Sequence, residues 1–248
     1  RLRSRLRRLD ARMIRALLLA TVLFAASAFA DDADFTALRA ELVDEVRVYA
    51  GYAGDDPFSD AVLQAIGRVE RHRFVPEREK RAAYENRPLP IGHGQTISQP
   101  YIVALMTDLI DPRPEDKVLE VGTGSGYQAA ILAEIVDHVY TIEIIEPLFT
   151  SATARLEQLG YNNVSTRLGD GYFGWEQHAP FDAIVVTAAP NHVPAPLVQQ
   201  LKRGGRMVIP VGGRWATQQL LLIERGIDDE IVTRQVAPVR FVPLTGEH

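Results

Sequence analysis

A glycine-rich turn joins an apolar strand to a helix in the middle of this chain, and this junction constrains the fold more than any other feature. Residues 117–121 have the apolar composition of a buried strand, Gly122-Thr123-Gly124-Ser125-Gly126 follows, and residues 127–135 have a helical pattern. Glycines permit a tight turn and let a ligand lie against the backbone. Such a turn is typical of the first βα unit of an open α/β sheet.

Strand and helix patterns alternate along the rest of the chain. Further strands are predicted at residues 139–143, 164–168, 182–187 and 207–211, and helices at residues 147–159 and 196–201. Strands that alternate with helices form parallel βαβ units, so the predicted fold class is α/β with an open, doubly wound, Rossmann-like sheet. Apolar positions at helical spacing predict two earlier helices, at residues 35–52 and 59–69. We expect these N-terminal helices to cap the sheet.

The N-terminal residues have the pattern of a secretory signal. Residues 13–15 read Met-Ile-Arg, an apolar run covers residues 16–24, and Ala28-Phe29-Ala30 ends the segment. A basic start, a short apolar core and an Ala-x-Ala end are typical of a signal that is cleaved during export. We therefore predict a signal-peptide-like segment with a basic extension over residues 1–30, and a periplasmic or secreted location. The alternative is a short membrane anchor or an artefactual extension, although a spanning helix needs about 20 apolar residues.

Residues 31–248 are enough for one well-packed domain. We divide it into a helical N-terminal part, residues 31–88, and a core for cofactor and substrate, residues 89–248. Apolar residues make up 46% of the chain and charged residues 24%, as in ordinary soluble proteins, so we expect no stable membrane insertion after signal removal. We also expect a monomer, although the sequence carries no direct signal for oligomeric state.

Composition excludes several kinds of chemistry. The chain has no cysteine, which excludes disulfides, thiol nucleophiles and cysteine-based zinc sites. Its six histidines show no paired spacing with nearby carboxylates, so we predict no metal site. Residues 1–30 hold seven of the 27 basic and one of the 32 acidic residues, and the net charge without them is −11. A domain this acidic has no electrostatic reason to bind nucleic acid.

Acidic residues follow successive predicted strands, at the edge of the sheet where ligands bind. Glu143 ends the second strand, where a carboxylate can accept hydrogen bonds from both ribose hydroxyls of an adenosine group. Asp170-Gly171 follows the third strand, where the carboxylate could accept a hydrogen bond from the adenine amino group. Tyr172 and Trp175 could stack on adenine, although aromatic residues near a sheet edge more often serve packing.

The glycine turn favours one cofactor over others. Its spacing, Gly122-x-Gly124-x-Gly126, departs from the GxGxxG of dinucleotide sites, and Glu120 stands two residues before the first glycine. A carboxylate repels a pyrophosphate but attracts the sulfonium and ammonium groups of S-adenosylmethionine. We therefore predict an S-adenosylmethionine site. Its predicted residues are Glu120, Gly122, Gly124, Gly126, Glu143, Asp170 and Gly171.

Five motifs identify a family more specifically. They are residues 89–101 (LPIGHGQTISQPY), 120–128, 169–171, 181–190 and 239–244. Together they resemble the protein-L-isoaspartate (D-aspartate) O-methyltransferases, over about residues 36–246 and most specifically at Gln95–Pro100. The resemblance implies a Rossmann-like methyltransferase sheet. It also implies transfer of a methyl group from S-adenosylmethionine to the free α-carboxylate of L-isoaspartyl residues in damaged proteins and peptides, which initiates repair.

The resemblance also implies site residues. Ser98 is the expected active-site residue, with a hydroxyl that orients the acceptor carboxylate, and Thr96 and Ile97 lie beside cofactor and carboxylate. Thr245, after the Val-Pro-Leu motif, is an expected cofactor contact. Ser98 also stands just before Pro100 and an apolar run, which is typical of a helix N-cap. The family's usual members are cytosolic, so a cytoplasmic location is the alternative to export.

Two other functions stay open on the sequence alone. One is a methyltransferase of a small carboxylate molecule. Nucleobase methylation is disfavoured, because Thr187-Ala188-Ala189-Pro190 stands where amino-methylating enzymes carry Asn/Asp-Pro-Pro-Tyr/Phe. The other is a non-catalytic S-adenosylmethionine-binding protein, against which the intact Ser98 segment argues.

Overall fold

The computed structural model describes residues 35–51, 58–213 and 217–246. The predicted signal segment, residues 1–30, lies outside the described residues. The chain divides into two compact units, Arg1–Glu41 and Leu42–His248. Of the first unit only residues 35–41 are described, and they are helical. The second unit contains the sheet and the candidate site.

Helices and strands alternate along the described residues. Helix α1 covers residues 35–51, and the later helices are α2 (Asp60–Arg68), α3 (Pro100–Leu109), α4 (Tyr127–Ala133), α5 (Glu146–Gln158) and α6 (Ala195–Gln200). The strands are β1 (Leu89–Gly92), β2 (Gln95–Ile97), β3 (Lys117–Val121), β4 (His138–Glu143), β5 (Val164–Leu168), β6 (Phe181–Val186), β7 (Leu201–Val211), β8 (Gln218–Arg225) and β9 (Ile231–Val239).

Seven of these strands form one sheet, in the order β5-β4-β3-β6-β7-β8-β9. Strands β3 to β7 pair in parallel, whereas β8 and β9 add to β7 as an antiparallel meander. The predicted open, doubly wound, Rossmann-like sheet is confirmed. Its first strand in sequence, β3, lies at the centre between β4 and β6, so the order of strands reverses there. Ligands of such sheets bind at this reversal, beyond the carboxyl ends of the strands.

The central strands are apolar because helices cover both faces of a parallel sheet. In β3, Val118, Leu119 and Val121 are buried, and β6 buries a continuous run from Ala183 to Val186. Glu120 is the exception, since it is fully buried within this apolar strand. A buried carboxylate near the end of a central strand is unfavourable for packing, so it indicates a candidate ligand site.

Helix α2, the second of the N-terminal helices, packs on the helical layer of the sheet. Helix α2 packs against helices α3 and α4, so it forms a layer over helices that themselves cover the sheet. Its start is fixed by Ser59, whose hydroxyl accepts a hydrogen bond from the Val62 amide. Among the described residues, no helix is long and apolar enough to cross a membrane.

Candidate active site

The glycine turn after β3 is shaped by backbone conformation and by a close neighbour. Gly122 has a φ of 102°, which side-chain-bearing residues rarely adopt, and a Cβ at this position would clash with the Thr187 hydroxyl. That hydroxyl donates to the Gly122 carbonyl at 2.7 Å. The Gly122 amide in turn donates to the Ile142 carbonyl at 2.8 Å, so the turn is held by the ends of both neighbouring strands.

Glu120 lies directly under this turn. The Thr141 hydroxyl donates to Glu120 Oε2 at 2.5 Å, and the Thr123 hydroxyl is 2.6 Å from that of Thr141. The second oxygen, Oε1, is buried and has no hydrogen-bond partner among the described residues. Burial raises the pKa of Glu120 from 4.5 to about 8; the Thr141 hydrogen bond opposes the increase, and the charge of Glu143 adds to it. A cation that reached Oε1 would relieve this unfavourable burial.

Glu143, at the end of β4, is bound by backbone amides. Its Oε2 accepts a hydrogen bond from the Gly124 amide at 2.7 Å, and its Oε1 accepts one from the Ile145 amide at 2.9 Å. Each carboxylate oxygen has two lone pairs, so both keep an acceptor site for a ligand hydroxyl. The contacts fix the orientation of the side chain and join the glycine turn to β4.

A cleft opens between these elements and contains most of the predicted site. Its lining includes nine of the predicted site residues: Thr96, Ile97, Ser98, Glu120, Gly122, Gly124, Glu143, Gly171 and Thr245. Residues from five separate parts of the chain therefore meet in one place. The cleft is narrow, with about 80 Å³ of space.

Two predicted residues lie outside the lining of the cleft. The Asp170 carboxylate accepts a hydrogen bond from the Tyr172 amide at 2.9 Å and so caps the short 3₁₀-helix Gly171–Phe173. Gly126 has a φ of 87° at the start of α4, and a Cβ there would be 3.3 Å from Leu156. Packing and backbone conformation explain this glycine without a ligand. The considered aromatic residues, Tyr172 and Trp175, do not line the cleft either.

Ser98 follows the hairpin of β1 and β2. The prediction that Ser98 caps α3 is wrong, because Gln99 occupies the N-cap position and makes no side-chain cap hydrogen bond. Helix α3 begins with Pro100, whose ring fixes the φ of the first helical residue. The Ser98 hydroxyl therefore does not serve the helix. Ser98 lines the cleft and also a larger groove beside it.

The larger groove adjoins the cleft at Thr96, Ser98, Thr187 and Val242, which line both. It encloses about 650 Å³, within the usual range of about 300–1,000 Å³ for ligand sites. Its walls come from the ends of α1, α3 and β9 and from the chain after β9. They include Tyr49, Pro88, Tyr101, Ala237, Pro238 and Phe241, with Arg240 as the charged residue. The groove is mainly apolar and aromatic, which suits an extended peptide segment.

The C-terminal segment closes the cleft on one side. Gln218 holds Phe241 through two hydrogen bonds, to its carbonyl at 3.1 Å and from its amide at 2.6 Å. Beyond it, Ala189 binds Val242 and Leu244 through backbone hydrogen bonds of 2.8 and 2.9 Å. This docking at the end of β6 brings Thr245 to the cleft.

Sequence reasoning missed the residues that support the site from behind. Thr141 binds Glu120, Thr187 binds the Gly122 carbonyl, and Gln218 holds Phe241. Thr141 and Thr187 could have been found as polar residues within or directly after otherwise apolar strands. Gln218 gave no such signal. The described residues contain no cluster of three or more acidic or histidine side chains able to hold a metal ion.

The strand order, the glycine turn after the first strand of the sheet and the acidic residue after the second define a Rossmann-like methyltransferase. Comparison with known proteins gives the family. Residues 42–248 match the family model of the protein-L-isoaspartate (D-aspartate) O-methyltransferases, and the chain belongs to that family.

Individual relatives agree with this assignment. The chain is 59% identical to protein-L-isoaspartate O-methyltransferase 1 of Cupriavidus necator, over 88% of this chain and 86% of the relative. It is 61% identical to protein-L-isoaspartate O-methyltransferase 2 of a Polaromonas species, over 83% and 96%. A Plasmodium falciparum protein solved with S-adenosyl-L-homocysteine, described as a member of the same family, superposes with a TM-score of 0.70 at 26% identity, over 83% of this chain and 97% of that one.

Proposed function

We propose that this chain transfers a methyl group from S-adenosylmethionine to the free α-carboxylate of L-isoaspartyl residues in damaged proteins and peptides, the step that initiates their repair. The observation that carries the proposal is the position of Ser98. It lies where the narrow cleft with the acidic residues meets the larger apolar groove. A donor hydroxyl at that junction is in the place where a peptide carboxylate would meet the cofactor.

The residues of the cleft fit the cofactor chemically. The buried Oε1 of Glu120 lacks a partner among the described residues and suits the ammonium group of the methionine part. Glu143 has acceptor capacity for the ribose hydroxyls. Gly122 leaves the space beside Thr187 that a Cβ would fill. When bound, S-adenosylmethionine supplies a methyl group on positively charged sulfur.

The protein's own task is to place the acceptor. A carboxylate has a reference pKa of about 3.9 and is ionised at neutral pH, so methyl transfer needs no general base. Catalysis then depends on holding one carboxylate oxygen in line with the bond that breaks. We assign this task to the Ser98 hydroxyl, which can donate to the other carboxylate oxygen. Thr96 and the docked C-terminal segment with Thr245 surround this point and reduce its contact with water.

Three properties of the protein belong to this proposal. We propose that it acts as a monomer on protein and peptide substrates and takes neither nucleic acid nor a metal ion. We propose further that residues 13–30 direct export, with a periplasmic or secreted location. S-Adenosylmethionine is made in the cytosol, so export requires a separate supply of the cofactor.

Paired peptides test the function. An isoaspartyl peptide and its normal aspartyl twin are incubated separately with the purified protein and labelled S-adenosylmethionine. We expect label to enter the isoaspartyl peptide alone. Label in both peptides would indicate a less selective carboxyl methyltransferase, and cofactor binding without any transfer would indicate a non-catalytic binding protein.

A further inference from the structure

Arg71 is a fully buried arginine outside the lining of both cavities. Its guanidinium contacts backbone carbonyls: Nε donates to Ala83 at 2.9 Å, and Nη2 donates to Ser98 at 2.7 Å. A third carbonyl, of Arg87, is 3.4 Å from Nη2. Among the described residues Arg71 forms no ion pair with a carboxylate. Its Cζ lies 4.8 Å from the centroid of the Tyr127 ring.

A buried charge without a counter-ion is costly, so its contacts need a reason. Burial lowers the pKa of Arg71 to about 10, which still leaves the guanidinium charged at neutral pH. A planar fork of several N–H donors can hold separate carbonyls at fixed distances from one another, which the flexible ammonium of lysine cannot. Arg71 uses the fork to join the segment around Ala83 to Ser98.

The segment of residues 83–87 also holds the start of α3 directly, through Asn86. The Tyr101 amide, which has no partner inside the helix, donates to Asn86 Oδ1 at 3.0 Å. Residues 98–101 are therefore attached to residues 83–87 at both ends. The cofactor side has a separate support, because Arg155 Nη1 donates to the Ser125 carbonyl at 2.8 Å. The two arginines hold the two sides of the site independently.

We propose that Arg71 is a positioning residue for methyl transfer, which holds the Ser98 carbonyl and thereby fixes where the Ser98 hydroxyl meets the acceptor carboxylate. The inference rests on the proposed role of Ser98 in the preceding function. Arg71 touches neither reactant in this account. Arg71 acts through Ser98, so its loss should slow the reaction of the acceptor peptide and leave the affinity for the cofactor unchanged.

Arg71→Lys and Arg71→Met test the proposal in the full-length protein, with Arg155→Lys as the matched variant on the cofactor side. We expect Arg71→Lys to lower kcat/KM for an isoaspartyl peptide about tenfold to a hundredfold, because a displacement near 1 Å has effects of that size. Its Kd for S-adenosylmethionine should stay within about twofold of wild type. Arg155→Lys should weaken cofactor binding instead. Rates are divided by the concentration of protein that binds S-adenosylmethionine, so that misfolded protein does not lower the calculated rate.

A double-mutant cycle gives a readout that a purely structural role would leave unchanged. If Arg71 acts through Ser98, adding Arg71→Lys to Ser98→Ala should cost much less in kcat/KM than it costs in the wild type. Additive losses, a parallel loss of cofactor affinity, or unchanged kinetics with a lower melting temperature would each overturn the proposal. Failure of both Arg71 variants to fold would do so too, by making Arg71 a general folding residue. A wild-type protein without activity on the isoaspartyl peptide would instead refute the proposed function, and this role with it.

Discussion

At the scale of one residue, Glu120 is a carboxylate whose burial in the sheet is unfavourable for stability. It lies in the central strand β3, with one oxygen bound by Thr141 and the other without a partner among the described residues. A folded protein normally avoids such a carboxylate, because its burial opposes ionisation. Burial holds the pKa of Glu120 at about 8, against 4.5 for the ordinary side chain. We therefore expect Glu120 to be mostly protonated at neutral pH in the protein without cofactor.

The stability of the protein without cofactor should depend on this proton. Between about pH 4.5 and about pH 8 the native state keeps the proton that the unfolded state loses, so the free energy of unfolding falls as pH rises. Glu120→Gln cannot ionise and should lack this fall. Thermal unfolding across this pH range should show the variant gaining stability relative to wild type toward high pH. A difference between the two proteins that does not change with pH would contradict the assignment.

Ser98→Ala should lower methyl transfer far more than cofactor affinity. Loss of one donor that orients the reacting carboxylate costs on the order of 1 to 4 kcal/mol, or about tenfold to a thousandfold in rate. The melting temperature should change little, because Gln99 and not Ser98 occupies the cap of α3. Initial rates, calorimetric titration with cofactor and thermal unfolding on one preparation measure the three quantities.

Ser59→Ala is the matched control for that variant. Ser59 caps α2 with its hydroxyl, so its loss should cost about 1 kcal/mol of stability while turnover per folded molecule is kept. Ser98→Ala should thus lower the rate with little change in stability, and Ser59→Ala should lower the stability with little change in rate. A Ser98→Ala variant that is less stable but equally fast would remove Ser98 from the reaction, whereas a slow Ser59→Ala would show only that this control is unsuitable.

At the scale of elements, the junction of β3, the glycine turn and β6 depends on Gly122. Gly122→Ala should weaken S-adenosylmethionine binding strongly, because the new methyl group would displace the Thr187 hydroxyl that holds the turn. Gly204→Ala is the control, since Gly204 also has a positive φ, of 79°, but open space around its Cβ position. Both variants bear the backbone cost of about 1 kcal/mol. Equal cofactor affinities in the two would show that the Thr187 contact is irrelevant.

The elements that the sequence predicted well are those with strong, repeated patterns. Strands β3 to β6 were predicted to within one residue, and the two central strands, β3 and β6, have the mostly apolar sequences of a buried parallel sheet. Strand β7 begins at Leu201, six residues before the predicted start. The glycines at 204 and 205 interrupt the apolar pattern of a strand there. Strands β8 and β9 were missed. Strand β8 has an apolar run, Leu220–Ile223, followed by turn residues, whereas β9 lies at the edge with mostly exposed side chains.

Some site residues could likewise be predicted from the sequence, and others could not. Residues next to a strand end, such as Glu143 and Gly122, could be placed from the sequence because topology brings strand ends together. Arg71 could not, since it holds three carbonyls that are distant in sequence and no pattern of side chains reveals a backbone contact. The predicted ligand contact of Asp170 stays a prediction. Its carboxylate caps a short helix after β5 and lies outside the lining of the cleft.

At the scale of the whole molecule, the proposed periplasmic or secreted location rests on the sequence of the first 30 residues. A fusion of residues 13–30 to a reporter active only outside the cytosol should export that reporter, and the mature protein should begin at Asp31. Replacing Ala28 and Ala30 with glutamate in the same fusion should prevent cleavage, because the cleavage site requires small residues. A reporter that stays in the cytosol with residues 13–30 intact would show that the segment is not a signal.

The position of the transferred methyl group is the strongest test of the proposed reaction. The protein is incubated with S-adenosylmethionine and a mixture of an isoaspartyl peptide and its aspartyl twin, and fragmentation by mass spectrometry locates the methyl ester in each. We expect a methyl ester on the α-carboxylate of the isoaspartyl residue and none elsewhere, because only that free carboxylate is attached directly to an interior Cα, where the groove can hold peptide on both sides of it. A methyl ester on the C-terminal carboxylate, or on the side chain of the aspartyl twin, would contradict it.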